Sequence, residues 1–314
     1  MHFATSGVDV YPWVPPLVAF AISFFTSMGG VSGAFLILPF QVSVLHFDTP
    51  AVSPTNHLFN VVAIPSGVYR YVREGRMVWP LVWAVIIGTL PGVLIGAIIR
   101  VEFLPDPAAF KLFVGLVLLY IGGRLFRDML QKKKQAGTKA EEEFQKLVRE
   151  FRARAAEAGQ KELPKVTVKK FSFKRIVYEF YGQTFDVNGL AIIFLCFVVG
   201  MIGGIYGIGG GAIVAPFFVS FLGLPVYTIA GATLMGTFVT SVVGVVFYQA
   251  IEPLYPNEAV APDWILGLLF GAGGFAGMYC GARLQKFMPA KVIKWILVLA
   301  ILFTAIKYVV DFIR

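Results

Sequence analysis

Residues 203–211 read Gly-Gly-Ile-Tyr-Gly-Ile-Gly-Gly-Gly, and they interrupt an apolar run that extends from 187 to 224. A spanning helix needs about 20 apolar residues, so these 38 positions are too many for one span and tight for two with a turn. An earlier run, 13–47, has the same character: 35 positions broken by Met28-Gly-Gly-Val-Ser-Gly33. Half-helices of about 12–16 residues reach only about 18–24 Å at 1.5 Å per residue. Each run therefore reads as a re-entrant hairpin whose glycine tip lies near the membrane midplane.

Around these two runs lie six stretches of ordinary spanning length: 54–72, 78–99, 108–129, 227–251, 264–284 and 290–311. The composition agrees, with 57% hydrophobic and 14% charged residues over 314 positions and a mean hydropathy of +0.76. A typical soluble domain is nearer a quarter charged, so a cytosolic enzyme, a DNA-binding module and a disordered chain are excluded. Charge is concentrated in residues 131–186, which hold 14 of the 27 Lys and Arg and 8 of the 18 Asp and Glu. The basic excess thus belongs to the cytoplasmic side of a membrane protein, not to nucleic acid. Cys196 and Cys280 sit in apolar segments without metal-ligand spacing and read as small hydrophobes. Residues 1–23 contain no Lys or Arg, so no cleavable signal peptide is expected.

Loop charge gives the sidedness. Arg70, Arg73 and Arg76 against Glu74 place 70–76 inside, with the block 131–186. The turn 100–107 is slightly acidic and reads as outside, as does 252–263 with Glu252, Glu258 and Asp263. Arg283, Lys286, Lys291 and Lys294 return the chain inside. The N-terminal 16 residues, which carry no Lys or Arg, are outside only if 13–47 enters and leaves on one face.

The chain also repeats itself. At an offset of 177, residues 30–71 align with 207–248 without a gap, pairing Gly33 with Gly210, Pro39 with Pro216 and Tyr71 with Tyr248. Further on, Gly88, Gly92 and Gly96 match Gly273, Gly277 and Gly281, stripes that let helices approach closely. One half starts outside and the other inside. The expected fold is an all-α integral membrane protein with an inverted repeat, each half a glycine-broken hairpin plus three transmembrane helices. Its division is 1–130, first repeat; 131–186, basic cytoplasmic insertion; 187–314, second repeat. Such repeats with broken helices are transporter architecture, with a midplane site where the halves meet.

The candidate site follows from that geometry. Helix N-termini at Gly33–Ala34 and at Gly209–Gly210–Gly211 carry unpaired N–H groups and partial positive charge, which suit an anion. The competing reading is that the glycines only permit a tight turn. Ser32 and Tyr206 stand ready as hydroxyl donors. In the next helix of each half, Thr55, Asn56 and Asn60 correspond to Ala232, Thr233 and Thr237; residues four apart share a face. These stripes suit substrate contact and helix–helix hydrogen bonding equally. His57, opposite Leu234 in the repeat, suits anion donation, proton carriage or a structural bond. No Asp or Glu lies at the centre of a span, which argues against a hard-cation site; no metal or cofactor is expected.

With Gly207-Ile-Gly-Gly-Gly-Ala-Ile-Val-Ala-Pro-Phe217, then Gly231-Ala-Thr233, the chain resembles the sulfite exporter TauE/SafE family of membrane permeases. Gly30-Val-Ser-Gly-Ala-Phe-Leu-Ile-Leu-Pro-Phe40 repeats the motif, and Gly75-Arg-Met-Val-Trp79 and Gly281-Ala-Arg-Leu284 also fit. The resemblance implies transport of sulfite, a sulfonate, thiosulfate or a related small anion across the cytoplasmic (inner) membrane of a prokaryote. Pro54-Thr55-Asn56-His57 departs from the family's Gly-Thr-Ser, and the basic insertion is longer than the usual linker. Within the insertion, 139–158 reads as a charged helix and 166–186 as strand with a turn at Gly182.

The expectation is a secondary transporter, not an enzyme, working by alternating access with a small anionic substrate and a coupling proton or sodium ion. Its surroundings are the lipid bilayer, with a homodimer and a cytoplasmic partner of 131–186 as further possibilities. A passive anion channel and a membrane partner or assembly protein are the alternatives; no catalytic pair exists to support a membrane enzyme.

Overall fold

The computed structural model describes residues 1–28, 32–73, 75, 77–130, 146–148, 150–151, 166–284 and 290–313. The first run forms helices α1 (Val14–Met28) and α2 (Ala34–Ser43). Then come α3 (Val52–Ala63), α4 (Pro65–Arg73), α5 (Trp79–Glu102) and α6 (Pro107–Leu130). The second run forms α7 (Gly189–Tyr206) and α8 (Gly210–Leu222), followed by α9 (Val226–Ile251), α10 (Trp264–Leu284) and α11 (Ala290–Ile313). Among the described residues, five helices are long and apolar enough to cross a membrane, in α5, α6, α7, α9 and α10.

Two expectations need correction. The stretch 54–72 is two helices, not one. Pro65 has no N–H to give the Val61 carbonyl, and its ring crowds that turn, so α3 ends and α4 begins at Pro65. The arm α7 has 18 residues, more than the half-helix expected, because Gly203 and Gly204 lie inside it rather than in the break. The break itself is short. Gly207 adopts φ +80° and its N–H, with that of Ile208, bonds the Gly203 carbonyl, the closing pattern of a helix C-terminus.

Glycine stripes set the packing. A β-carbon at Gly92 or Gly96 of α5 would overlap the carbonyl oxygen of Phe197 or Met201 in α7, and Gly88 abuts Ile193 and Cys196. The register rises together on both helices, so α5 and α7 run parallel. The same relation joins α10 to α1, where Gly273, Gly277 and Gly281 face Pro16, Phe20 and Phe24. The stripe on α5 thus receives α7 and that on α10 receives α1, with backbones in van der Waals contact. In addition α3 packs on α10, α9 on α5, and α6 on α11.

The ends of the bundle are fixed by polar contacts. Ser6 Oγ donates to Asp263 Oδ2 (2.8 Å), the Asp263 N–H donates to Thr55 Oγ1 (2.8 Å), and the Ala51 N–H to the Ala259 carbonyl (2.9 Å). The starts of α1, α3 and α10 therefore gather at one end. At the other end, Tyr178 donates to Thr228 Oγ1 (3.3 Å), setting the start of α9 beside the strands that lead into α7.

Those strands make the chain less than wholly helical. Two short ones, β1 (His2–Phe3) and β2 (Val8–Asp9), pair near the N-terminus. An antiparallel sheet β3–β4–β5 (Thr167–Phe171, Arg175–Phe180, Gln183–Asn188) lies where strand was expected. Tyr181 and Gly182, both at positive φ, make the two-residue turn between β4 and β5. Across that pair Arg175 grips Asp186, whose carboxyl is held below its ordinary range by the bond. Of the expected helix 139–158, residues 146–148 and 150–151 are helical and the rest lies outside the described residues.

Candidate functional site

Asn60 sits in the last turn of α3 with no solvent exposure, and it holds both glycine breaks. Its Oδ1 accepts from Ser32 Oγ at 2.7 Å, on the lead-in to α2. Its Nδ2 donates to the Ile208 carbonyl at 3.0 Å, inside the break between α7 and α8. One turn earlier on the same face, Asn56 Nδ2 donates to the Ala34 carbonyl (3.0 Å). A direct bond between the breaks completes the junction: Tyr206 donates to the Phe35 carbonyl at 2.8 Å. Ser32 and Phe35, beyond the first break, are thus tied to Tyr206 and Ile208 at the second, partly through α3.

On the far side stands α9. Gly209 takes φ +73° and ψ 146°, open only to a residue without a β-carbon, and a side chain there would strike Thr237 and Ser241 at 2.9 Å. Gly211 lies against Thr233 and Thr237, and Gly210 against Thr89. His57 Nδ1 is 3.2 Å from Ser241 Oγ, so this histidine ties α3 to α9.

Thr55 is the residue that does not join the group. Its hydroxyl donates to Ala51 and accepts from the Asp263 N–H, so it braces the end of the bundle instead. The other twelve candidates, Ser32, Gly33, Ala34, Asn56, His57, Asn60, Tyr206, Gly209, Gly210, Gly211, Thr233 and Thr237, are all buried around the two breaks.

The donor inventory differs from expectation. Ser32 gives its proton to Asn60, Tyr206 to Phe35, Thr233 to the Ala230 carbonyl and Thr237 to the Thr233 carbonyl. These hydroxyls are spent because a proton buried away from water must find an acceptor inside the protein. What remains is the start of α8, which no side chain caps, so the N–H groups of its first turn keep their partial positive charge. At the start of α2 the Ala34 N–H is already taken by Ser32 Oγ (3.3 Å). Beside these, His57 Nε2, Asn56 Oδ1 and Ser23 Oγ are buried without partners among the described residues. Ser23 was not anticipated. A β-carbon on Gly33 would lie 2.9 Å from its hydroxyl, and the only sequence signal is a serine within an apolar helix.

Among the described residues the group contains no carboxylate; the uncapped helix end, Ser23 Oγ and, in one tautomer, His57 Nε2 can donate to a small anion, whereas Asn56 Oδ1 can only accept. No curated protein matches the chain, and no solved structure does. The family model described as sulfite exporter TauE/SafE, by contrast, matches residues 16–308, nearly the whole chain. The chain belongs to the sulfite exporter TauE/SafE family, a family of membrane transporters.

Proposed function

We propose that the protein is a permease for a small sulfur-containing anion such as sulfite, a sulfonate or thiosulfate, working by alternating access. The observation that carries this reading is the junction at Asn60, where two broken segments meet beside an uncapped helix start. The substrate's charged group takes the N–H groups of Gly209, Gly210 and Gly211, with Asn56, Asn60 and His57 beside it. All of these are buried, which corresponds to an occluded conformation. Opening to either side releases Asn60 from one break while it keeps the other.

An inverted repeat underlies the motion. Its support is the reciprocal pairing of α1 with α10 and α7 with α5, and the starts of α1 and α3 at the end opposite to α7 and α9. Its three parts are the repeats 1–130 and 187–314 and the insertion 131–186. The protein resides in a prokaryotic inner membrane with its N-terminus outside. In a background lacking Cys196 and Cys280, Thr5→Cys is expected to react with an impermeant maleimide added to intact cells. Reaction only after lysis would refute this sidedness.

The function is tested with purified protein in liposomes, measuring flux of sulfite, thiosulfate, taurine, sulfoacetate and sulfate with and without a pH gradient. Saturable flux of one sulfur anion is expected. Non-saturating flux unmoved by proton or sodium gradients would indicate a channel, and no flux from folded protein would reject the substrate class.

A further inference from the structure

Arg100 stands in the last turn of α5, four residues beyond Gly96, on the face that carries the glycine stripe. It has no solvent exposure. Its Nη1 donates to the Leu104 carbonyl and the guanidinium lies 3.9 Å over the ring of Phe110. The other two nitrogens, Nε and Nη2, have no partner among the described residues. No carboxylate pairs with Arg100 among the described residues; Glu258, itself exposed, acts only through its field. A buried guanidinium left this way is costly unless something completes it.

The geometry says what would. Nε and Nη2 form one edge of the planar fork, the edge that takes two oxygens of a carboxylate, sulfonate or similar oxyanion in parallel N–H···O bonds. The position also connects to the breaks. Tyr248 shares an apolar cluster with Ala97 and Val101, which flank Arg100, and its hydroxyl donates to the Gly204 carbonyl at 3.2 Å. Gly204 precedes the break at Gly207 by three residues, and Gly207 lies against Ser53 at the start of α3.

We infer that Arg100 is a second anion station, where the free guanidinium edge binds the oxyanion on the side of the α7–α8 break where α5 ends. This assignment rests on the permease reading, because it gives Arg100 the same anion. It supplies the full positive charge that the Asn60 junction lacks, and it makes the charge-bearing head of the substrate a two-oxygen ligand.

Two readouts keep the assignment and the permease reading apart: flux in liposomes, and the rise in melting temperature of purified protein on adding sulfite, methanesulfonate or sulfate. Arg100→Gln is expected to raise the KM for transport about 10-fold or more and to remove the anion-dependent rise in melting temperature. Arg100→Lys keeps the charge and a bond to Leu104 but loses the two-nitrogen edge, and is expected to fall between. It serves as the test if Arg100→Gln does not fold. An unchanged KM and an undiminished anion-dependent rise in both variants would overturn the assignment, leaving Arg100 as a cap on α5. An Arg100-dependent rise without flux of any anion would keep the station and reject the permease. Absence of both effects in the wild-type protein would reject both.

Discussion

Replacing Gly207 with alanine is expected to abolish transport. At φ +80° an L-residue is strained by about 1–2 kcal/mol. The larger effect is steric: the new β-carbon overlaps the Ser53 carbonyl oxygen and lies 2.7 Å from the Ser53 Cα. Ser53 cannot retreat, since it occupies the first turn of α3 and its hydroxyl is bonded to the Ile205 carbonyl at 2.9 Å. The combined cost is about 3 kcal/mol or more, felt as a break pushed away from α3. Gly223→Ala provides the control, because Gly223 has φ +63° but nothing within 4 Å of its β-carbon position. It is expected to cost about 1 kcal/mol and leave flux intact. Flux measured in liposomes, alongside melting temperature, checks both; wild-type flux from Gly207→Ala removes the close approach from the mechanism.

The second large effect is at Asn60. Alanine there leaves the Ser32 hydroxyl without its acceptor and the Ile208 carbonyl without its donor, both buried, for about 3 kcal/mol. The two breaks then lose their common tie, and substrate affinity and transport both collapse. Ser43→Ala is the matched comparison. It removes one bond to Tyr308, whose hydroxyl retains the Pro39 carbonyl, so about 1 kcal/mol and normal affinity are expected. Equal, small losses of affinity from the two substitutions would show that Asn60 only glues helices together.

What the chain's letters reveal depends on whether a residue's role is local. Gly92 and Gly277 announce helix contact because only glycine admits a neighbouring backbone so closely, whatever the fold around it. Gly207 and Gly209 mark the second break for the same sort of reason. Gly203 and Gly204, in the same string, do not. They are helical and serve packing, and spacing alone cannot separate glycines that end a helix from glycines that crowd one. The division of α3 from α4 was hidden because spanning helices tolerate proline, so Pro65 alone did not mark a break. Donor direction was hidden too: a stripe such as Thr233 and Thr237 looks the same whether its protons face a ligand or its own helix. Arg100 was counted among the charges of the turn 100–107, since charge in a membrane protein ordinarily marks a loop; here α5 runs three residues past 99 and buries it.

The exchange of helices between the halves has a consequence for biosynthesis. The stripe on α10 accepts α1, yet α1 is made about 250 residues earlier. At roughly 5–20 residues per second, that leaves α1 waiting on the order of 10–50 s for its partner. The stripe on α5 waits likewise for α7, beyond the whole basic insertion. Until α7 is made, the glycine face of α5 lies against some other neighbour. Its provisional occupant, whether lipid or the insertion machinery itself, must leave before α7 can seat, so the docking of α7 is a late and ordered step in maturation.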